Sequence, residues 1–236
     1  MYKKYFIIKT IIDFIFALFI LILTSPIFLI VAVAIKIEDG GKIFFYQART
    51  GKNGKLFKCY KFRSMRSTNI AFDKNSPVIS NTNSNVTKIG KIIRRLKIDE
   101  LPQIINILKC EMYFIAPRPL LPVYHNEYAE WELVKFELKP GITGLGQVFG
   151  NGHLTIPERK YYDVYYAMHC NFLLDCMIFF KTFAIILLGE KRFCKHVTST
   201  EQRNLRLKVK ANYTTKPIIY QNIFLTETPI ENPVAA

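Results

Sequence analysis

The chain has 236 residues, with 33 Lys and Arg against 18 Asp and Glu, a net charge of +15. Half of the residues are hydrophobic and 14% aromatic, which excludes wholesale disorder and suffices for one domain, or a domain with an appendage. The basic excess calls for an anionic partner (nucleic acid, an anionic membrane surface or a phosphorylated substrate), while five cysteines without a CxxC pair and four histidines without zinc spacing speak for reduced, packing thiols.

The first element is an uncharged apolar run from Phe14 to Ile35, 22 residues long. As a helix it would measure ~33 Å, enough to cross a bilayer. A cleavable secretory signal has a shorter apolar core, about 7–15 residues. Thr24-Ser25-Pro26 lies mid-run. Pro26 lacks an N–H and displaces the carbonyl of Ile22, so a kink is expected there, with Thr24 or Ser25 satisfying the freed carbonyl. Lys3, Lys4 and Lys9 precede the run; Lys36, Lys42, Arg49 and Lys52 follow it. Both flanks therefore claim the cytoplasmic side. A helix that enters, breaks at Ser25-Pro26 and leaves by the same face satisfies both.

Downstream, Ile43 to Tyr46 and Leu56 to Phe62 read as strands around a hairpin turn at Gly51-Lys52-Asn53-Gly54. Residues 67–87 read as a polar loop. Lys88 to Lys97 is a basic helix with apolar residues at helical spacing. A second helix follows Asp99, with Leu101, Ile104, Ile105, Leu108 and Met112 on one face. Ala116-Pro117-Arg118-Pro119 is a rigid break, Leu121 to Leu138 reads as helical, and Lys139 to Gly144 as a turn. Pro157 to His169 opens another helix. Phe172 to Leu188, interrupted by Asp175 and Lys181, is too short and too charged to span, and reads as an amphipathic helix lying on the domain or the membrane surface. From Gly189 on the chain is polar and weakly patterned, so a peripheral or partly disordered tail is expected. The boundaries implied are 1–38 for the membrane helix, 39–188 for the main domain and 189–236 for the tail.

Asp99-Glu100 is the sharpest chemical feature. Asp99 is suited to cap the helix that Pro102 opens, and the positive helix end with Arg94, Arg95 and Lys97 would keep it ionised. Adjacent helical side chains point about 100° apart, so one carboxylate would attack a phosphorus while the other holds a cation. Arg118, fixed between prolines, suits bidentate phosphate binding. Lys61 and Arg63 alternate with Phe62, which would aim both cations at one face of a strand. Asp163, among tyrosines, is open between a metal-side carboxylate and a hydrogen-bond partner for Tyr.

Asp13 and Ser25-Pro26, FFYQARTGKNGKLFKCYKFRSM (residues 44–65), KIGKIIRRLKIDELPQIINILKCEM (88–112), APRP (116–119), KPGITGLGQV (139–148) and YDVYYAMHCNFLLD (162–175) occur in this order. Together they make the chain resemble the bacterial sugar transferases, the monotopic polyprenyl-phosphate phosphoglycosyl transferases, over roughly residues 2 to 188. The resemblance implies a helix-rich, membrane-associated α/β fold with a re-entrant helix broken at Ser25-Pro26 and interfacial helices, in the bacterial cytoplasmic membrane with its catalytic domain facing the cytoplasm. It implies that Asp99 attacks the β-phosphate of a UDP-sugar, releasing UMP, and that polyprenyl (undecaprenyl) phosphate then takes the sugar phosphate. Glu100 would bind Mg2+; Arg94, Lys61, Arg63, Arg118 and Asp163 map onto polar active-site positions. Membrane lipids are expected partners, a homodimer is left open, and no nucleic-acid partner is expected, since no such motif is present. A non-catalytic scaffold in a glycan assembly complex is the alternative. Ala116 stands where the family usually has Gly, which would strain the backbone if φ is positive there. Leu96-Lys97 replaces a common Thr-Ser, and Leu145-Gly146 a usual Trp-Ala.

Overall fold

The computed structural model describes residues 2–66, 83 and 85–213. The polar loop expected at 67–87 falls largely outside these residues, as does the end of the tail, 214–236.

α1 runs from Tyr2 to Asp39 without interruption, Pro26 included. The hydroxyl of Ser25 donates to the Ile22 carbonyl at 2.8 Å, and that of Thr24 to the Ile20 carbonyl at 2.7 Å. The carbonyl that Pro26 deprives of its N–H partner is thus served by a side chain, and the local sequence carries the helix through the proline rather than ending it. Ile15, Ile22, Leu29 and Ile30 are each more than 60% exposed. A core helix would bury such residues; this helix has the length and apolar composition of one that enters a membrane, and the chain is membrane-associated.

The chain divides into two compact units. One gathers the described residues to Asp13, Arg49–Phe57, and those from Cys110 on; the other gathers the described residues of Phe14–Ala48 and Lys58–Lys109.

In the second unit, β1 (Phe44–Thr50) and β2 (Leu56–Phe62) pair as a hairpin whose distal ends belong to the first unit. Its turn uses left-handed backbone at Asn53 and Gly54, as the Asn-Gly pair allows. Val31 and Ile35 of α1 pack with Phe62 and with Ile93 of α2 (Lys88–Arg95). The α2 N-terminus is capped twice. Thr87 accepts from the Gly90 N–H at 2.8 Å, and Glu38 accepts from the N–H groups of Lys88 and Ile89 at 2.6 and 2.9 Å. A 3-10 turn, Ile98–Glu100, then leads through Leu101 and Pro102 into α3 (Gln103–Leu108).

In the first unit, β3 (Tyr113–Ile115) and β4 (Gly141–Thr143) form a parallel pair with Tyr113 opposite Gly141 and Ile115 opposite Thr143. Short α4 (Leu145–Val148), α5 (Ile156–His169) and α6 (Phe172–Leu188) build the core with Tyr113, Val148, Val164, Tyr166 and Ile178. The stretch Leu121 to Leu138, expected to be a helix, consists of two 3-10 segments, Pro122–Glu127 and Glu130–Glu137, parted at Tyr128 and Ala129, whose extended backbone ends the first and begins the second. α6 buries Asp175 and Ile178 and exposes Phe172, Leu173, Phe180, Ile186 and Leu187. The presumed tail holds a further helix, α7 (Ser199–Tyr213), seated on the core by Leu205 and Val209. Two apolar residues four apart suffice for that, a signal that its polar composition hides.

Candidate active site

The Asp99-Glu100 pair sits in the 3-10 turn between α2 and α3. Asp99 does not cap α3, which Pro102 precedes. The reason is Lys97, whose backbone is left-handed at φ 58. That residue ends α2, its N–H donating to the Arg94 carbonyl at 3.2 Å, and its own carbonyl accepts from the Glu100 N–H at 3.3 Å. The chain thereby starts a new turn one residue before Asp99. The strained position is Lys97, not Ala116, whose φ is not positive. Ala116 instead lies so close to Gly141 and Gly144 that a Cβ on either would fall 2.2 or 2.4 Å from its backbone.

Lys61 leans from β2 to Glu100, Nζ to Oε1 2.7 Å, both side chains partly buried. Burial is the largest influence on Asp99 and raises its carboxyl above the ordinary Asp value; Lys61, then Arg94 and Lys97, oppose it, while Glu100 adds to the rise. The sequence suggested that basic neighbours favour the ionised form of Asp99; Lys61, Arg94 and Lys97 do act in that direction, and burial leaves the net shift upward.

The turn and the strand are tied together by Asn106 of α3, which is fully buried. Its side-chain carbonyl accepts from the Tyr60 N–H at 3.1 Å and its amide donates to the Lys58 carbonyl at 2.7 Å. Sequence reasoning passed over Asn106; its one signal is an amide within Ile-Ile-Asn-Ile-Leu.

Arg63 lies just past β2 and does not share Lys61's partner. Its guanidinium pairs with Asp39 at the end of α1, and its buried Nε has no hydrogen-bond partner among the described residues. The two cations expected on one strand face thus serve different acids.

Arg118 and Asp163 belong to the other unit. Arg118 is exposed between buried Pro117 and Pro119, and lines a small cleft with Thr50, Gly51, Lys135, Phe136 and Pro140. Asp163 is engaged by Lys135 at 2.5 Å, with Tyr128 beside the same ammonium. Burial would lower the Lys135 ammonium, but Asp163 and Tyr128 outweigh it and hold it charged. Lys135 and the half-buried His125, which contacts Thr50, were not singled out from sequence, because they stand singly among apolar and polar neighbours.

Mg2+ takes one or two carboxylates and fills its remaining positions with water and phosphate oxygens. Glu100 offers one such carboxylate, beside the Lys61 ammonium, and its chemistry is compatible with the ion; among the described residues no three His, Cys, Asp or Glu gather into a metal site of their own.

A long apolar helix with most of its large side chains exposed and an acid pair beside Lys61 characterise a membrane-associated protein. A family model described as bacterial sugar transferase matches residues 4–189. The uncharacterized sugar transferase EpsL of Bacillus subtilis is 36% identical over 194 residues, 82% of this chain and 94% of the relative. The UDP-N-acetylgalactosamine-undecaprenyl-phosphate N-acetylgalactosaminephosphotransferase of Aeromonas hydrophila is 35% identical over 191 residues, 78% of this chain and 45% of the relative. The UDP-glucose:undecaprenyl-phosphate glucose-1-phosphate transferase of Klebsiella pneumoniae is 37% identical over 180 residues, 72% of this chain and 38% of the relative. The chain belongs to the bacterial sugar transferase family, and is an enzyme of the phosphoglycosyl transferase class.

Proposed function

We propose that the protein transfers a sugar-1-phosphate from a UDP-sugar to undecaprenyl phosphate through a covalent intermediate on Asp99. The observation that carries this reading is the Asp99-Glu100 turn, half-buried and set among Lys61, Arg94 and Lys97. The printed activities of the Aeromonas and Klebsiella relatives supply the substrate classes.

Asp99 in its ionised form attacks the β-phosphorus. The bond from that phosphorus to the bridging oxygen breaks, UMP leaves, and a phosphoglycosyl-aspartate remains. A phosphate oxygen of undecaprenyl phosphate then attacks the same phosphorus and Asp99 departs as carboxylate. Lys61, Arg94 and Lys97 stabilise charge on the oxygens during both displacements. Glu100 would hold Mg2+, with Lys61 fixing its carboxylate; when bound, the ion neutralises diphosphate charge as a Lewis acid. Arg118, displayed by its two prolines, would bind the lipid phosphate, with Asp163 keeping Lys135 charged in the same cleft. Arg63 would act through the end of α1, holding Asp39.

We further place α1 as a re-entrant helix with the catalytic residues on the cytoplasmic side. Lys9 and Asp13 precede the apolar run and Asp175 lies far beyond it, yet Lys9 pairs with Asp175 at 2.5 Å within one unit. Among the described residues α1 is the one helix long and apolar enough to cross a membrane. A straight crossing would part Lys9 from Asp175; a bend at Pro26 within the continuous helix would return it to the face of entry and keep them together. The exposed apolar residues of α6 suit the membrane interface.

The test is UMP release by protein in nanodiscs with Mg2+, undecaprenyl phosphate and a panel of UDP-sugars, with Asp99→Asn alongside. Lipid-dependent UMP from one sugar, lost in the variant, is expected. Undiminished release by Asp99→Asn would overturn the covalent route.

A further inference from the structure

Beyond the family-matched residues, the segment between α6 and α7 brings a thiol, an imidazole and a carboxylate into line. Cys194 Sγ lies 3.6 Å from His196 Nε2, and His196 Nδ1 lies 2.9 Å from Glu158 Oε1. We propose that Cys194 is a reactive thiol, activated by His196 and Glu158, that forms mixed disulfides with low-molecular-weight disulfides.

The arrangement is a nucleophile, a base within hydrogen-bond reach and an acid that orients the base. The acid is the most firmly held of the three. Glu158 sits in the first turn of α5 and accepts from the Thr155 N–H and hydroxyl, both at 2.8 Å, and from the Val197 N–H at 3.0 Å. Burial works to raise its carboxyl, but these donors and His196 outweigh it and bring it down to about 2, so it faces His196 as an anion.

The thiol is held by the backbone around it. A Cβ on Gly150, whose φ is +129, would fall 2.8 Å from Cys194 Sγ. The neighbouring Lys195 donates its N–H to the Phe149 carbonyl at 3.0 Å and accepts from the Tyr162 hydroxyl at 2.8 Å. Cys194 is half-buried by this seating, whereas the His196 side chain is 69% exposed, so a small reagent reaches the pair from the imidazole side.

In the reaction the Sγ proton passes to His196 Nε2. The thiolate attacks one sulfur of RS–SR, the new S–S bond forms and RS⁻ leaves. His196 returns the proton to give RSH, and Glu158 stays ionised throughout. The disulfide is the sole oxidant required.

Cys110 is an internal reference, because it is exposed and so has the better access. Full-length protein in nanodiscs is treated with oxidised glutathione, and the mixed disulfide at each cysteine is followed by mass spectrometry. Cys194 is expected to react about tenfold faster than Cys110, and His196→Asn to bring Cys194 down to the Cys110 rate or below, with Cys110 itself unchanged. A Cys194 rate no higher than that of Cys110 in the unaltered protein overturns the proposal, whatever the variant does. So does a Cys194 rate that His196→Asn leaves unchanged.

Discussion

Lys61 Nζ and Glu100 Oε1 meet at 2.7 Å, joining strand β2 to the turn that carries Asp99. Lys61 thereby holds the carboxylate of Glu100 and is the foremost cation opposing the effect of burial on Asp99. One lysine thus supports both acids of the pair.

Asp99 must be ionised to attack, and its carboxyl is raised above the usual Asp value by burial. The acid limb of kcat/KM is therefore expected above the ordinary Asp range, with activity falling as pH falls through it. Lys61→Met removes the largest opposing charge, so the limb moves to still higher pH and kcat/KM drops by roughly 10²–10³. UMP release across pH checks both. An acid limb left in place by Lys61→Met would mean that the lysine does not act on Asp99.

Asn106→Leu leaves the Tyr60 N–H and the Lys58 carbonyl without the side chain that now serves them. Each buried group left unsatisfied costs about 1–3 kcal/mol, so denaturation should show a loss of that order or somewhat more. Asn106→Asp keeps the acceptor but sets a buried carboxylate against the Lys58 carbonyl, and should cost at least as much as the leucine.

Lys97 adopts φ 58, a conformation that Asn tolerates better than Lys. Lys97→Asn is expected to stabilise the fold by about 0.5–1 kcal/mol while removing a cation that acts on Asp99. Thermal melting should rise and the acid limb should move up. A melting gain without the pH shift would assign Lys97 a backbone role alone.

Lys9→Met leaves Asp175 buried with the hydroxyls of Tyr5 and Tyr166, both at 2.6 Å, but without its cation. Breaking a buried pair in this way costs about 3–5 kcal/mol. If the pair also fixes the re-entrant path, a cysteine placed before residue 9 will lose its uniform cytoplasmic accessibility to impermeant thiol reagents in Lys9→Met. Retained accessibility would confine the pair to stability.

His125 is lowered to about 4 by burial and by Lys135, and Glu158 to about 2 by its donors. For both, the folded value lies below the unfolded one, so the stability they contribute is present above the unfolded values. It is lost as pH falls, from about 6.5 towards 4 for His125 and from about 4.5 towards 2 for Glu158. His125→Asn should flatten the first part of the acid unfolding profile, and Glu158→Gln the second.

Local chemistry, which needs no knowledge of distant partners, was legible in the sequence. The apolar run, the Asn-Gly hairpin, the helix opened at Pro157 and the adjacent acids at 99 and 100 are all set by residues within a few positions of one another. Ser25 serving the Ile22 carbonyl is of the same kind. What depends on distant residues was not legible. The left-handed backbone at Lys97 has no signal in its side chain, so Asp99 read as a helix cap although it lies inside a separate turn. The separate partners of Lys61 and Arg63 depend on where Glu100 and Asp39 come to rest. Burial of Asp99, which overrides the charge of its neighbours in sequence, exists only once the second unit has folded around it. Sequence determined which groups are available to react; tertiary packing decided which are desolvated and what each one faces, because desolvation and Coulomb energy depend on distances that the order of residues does not fix.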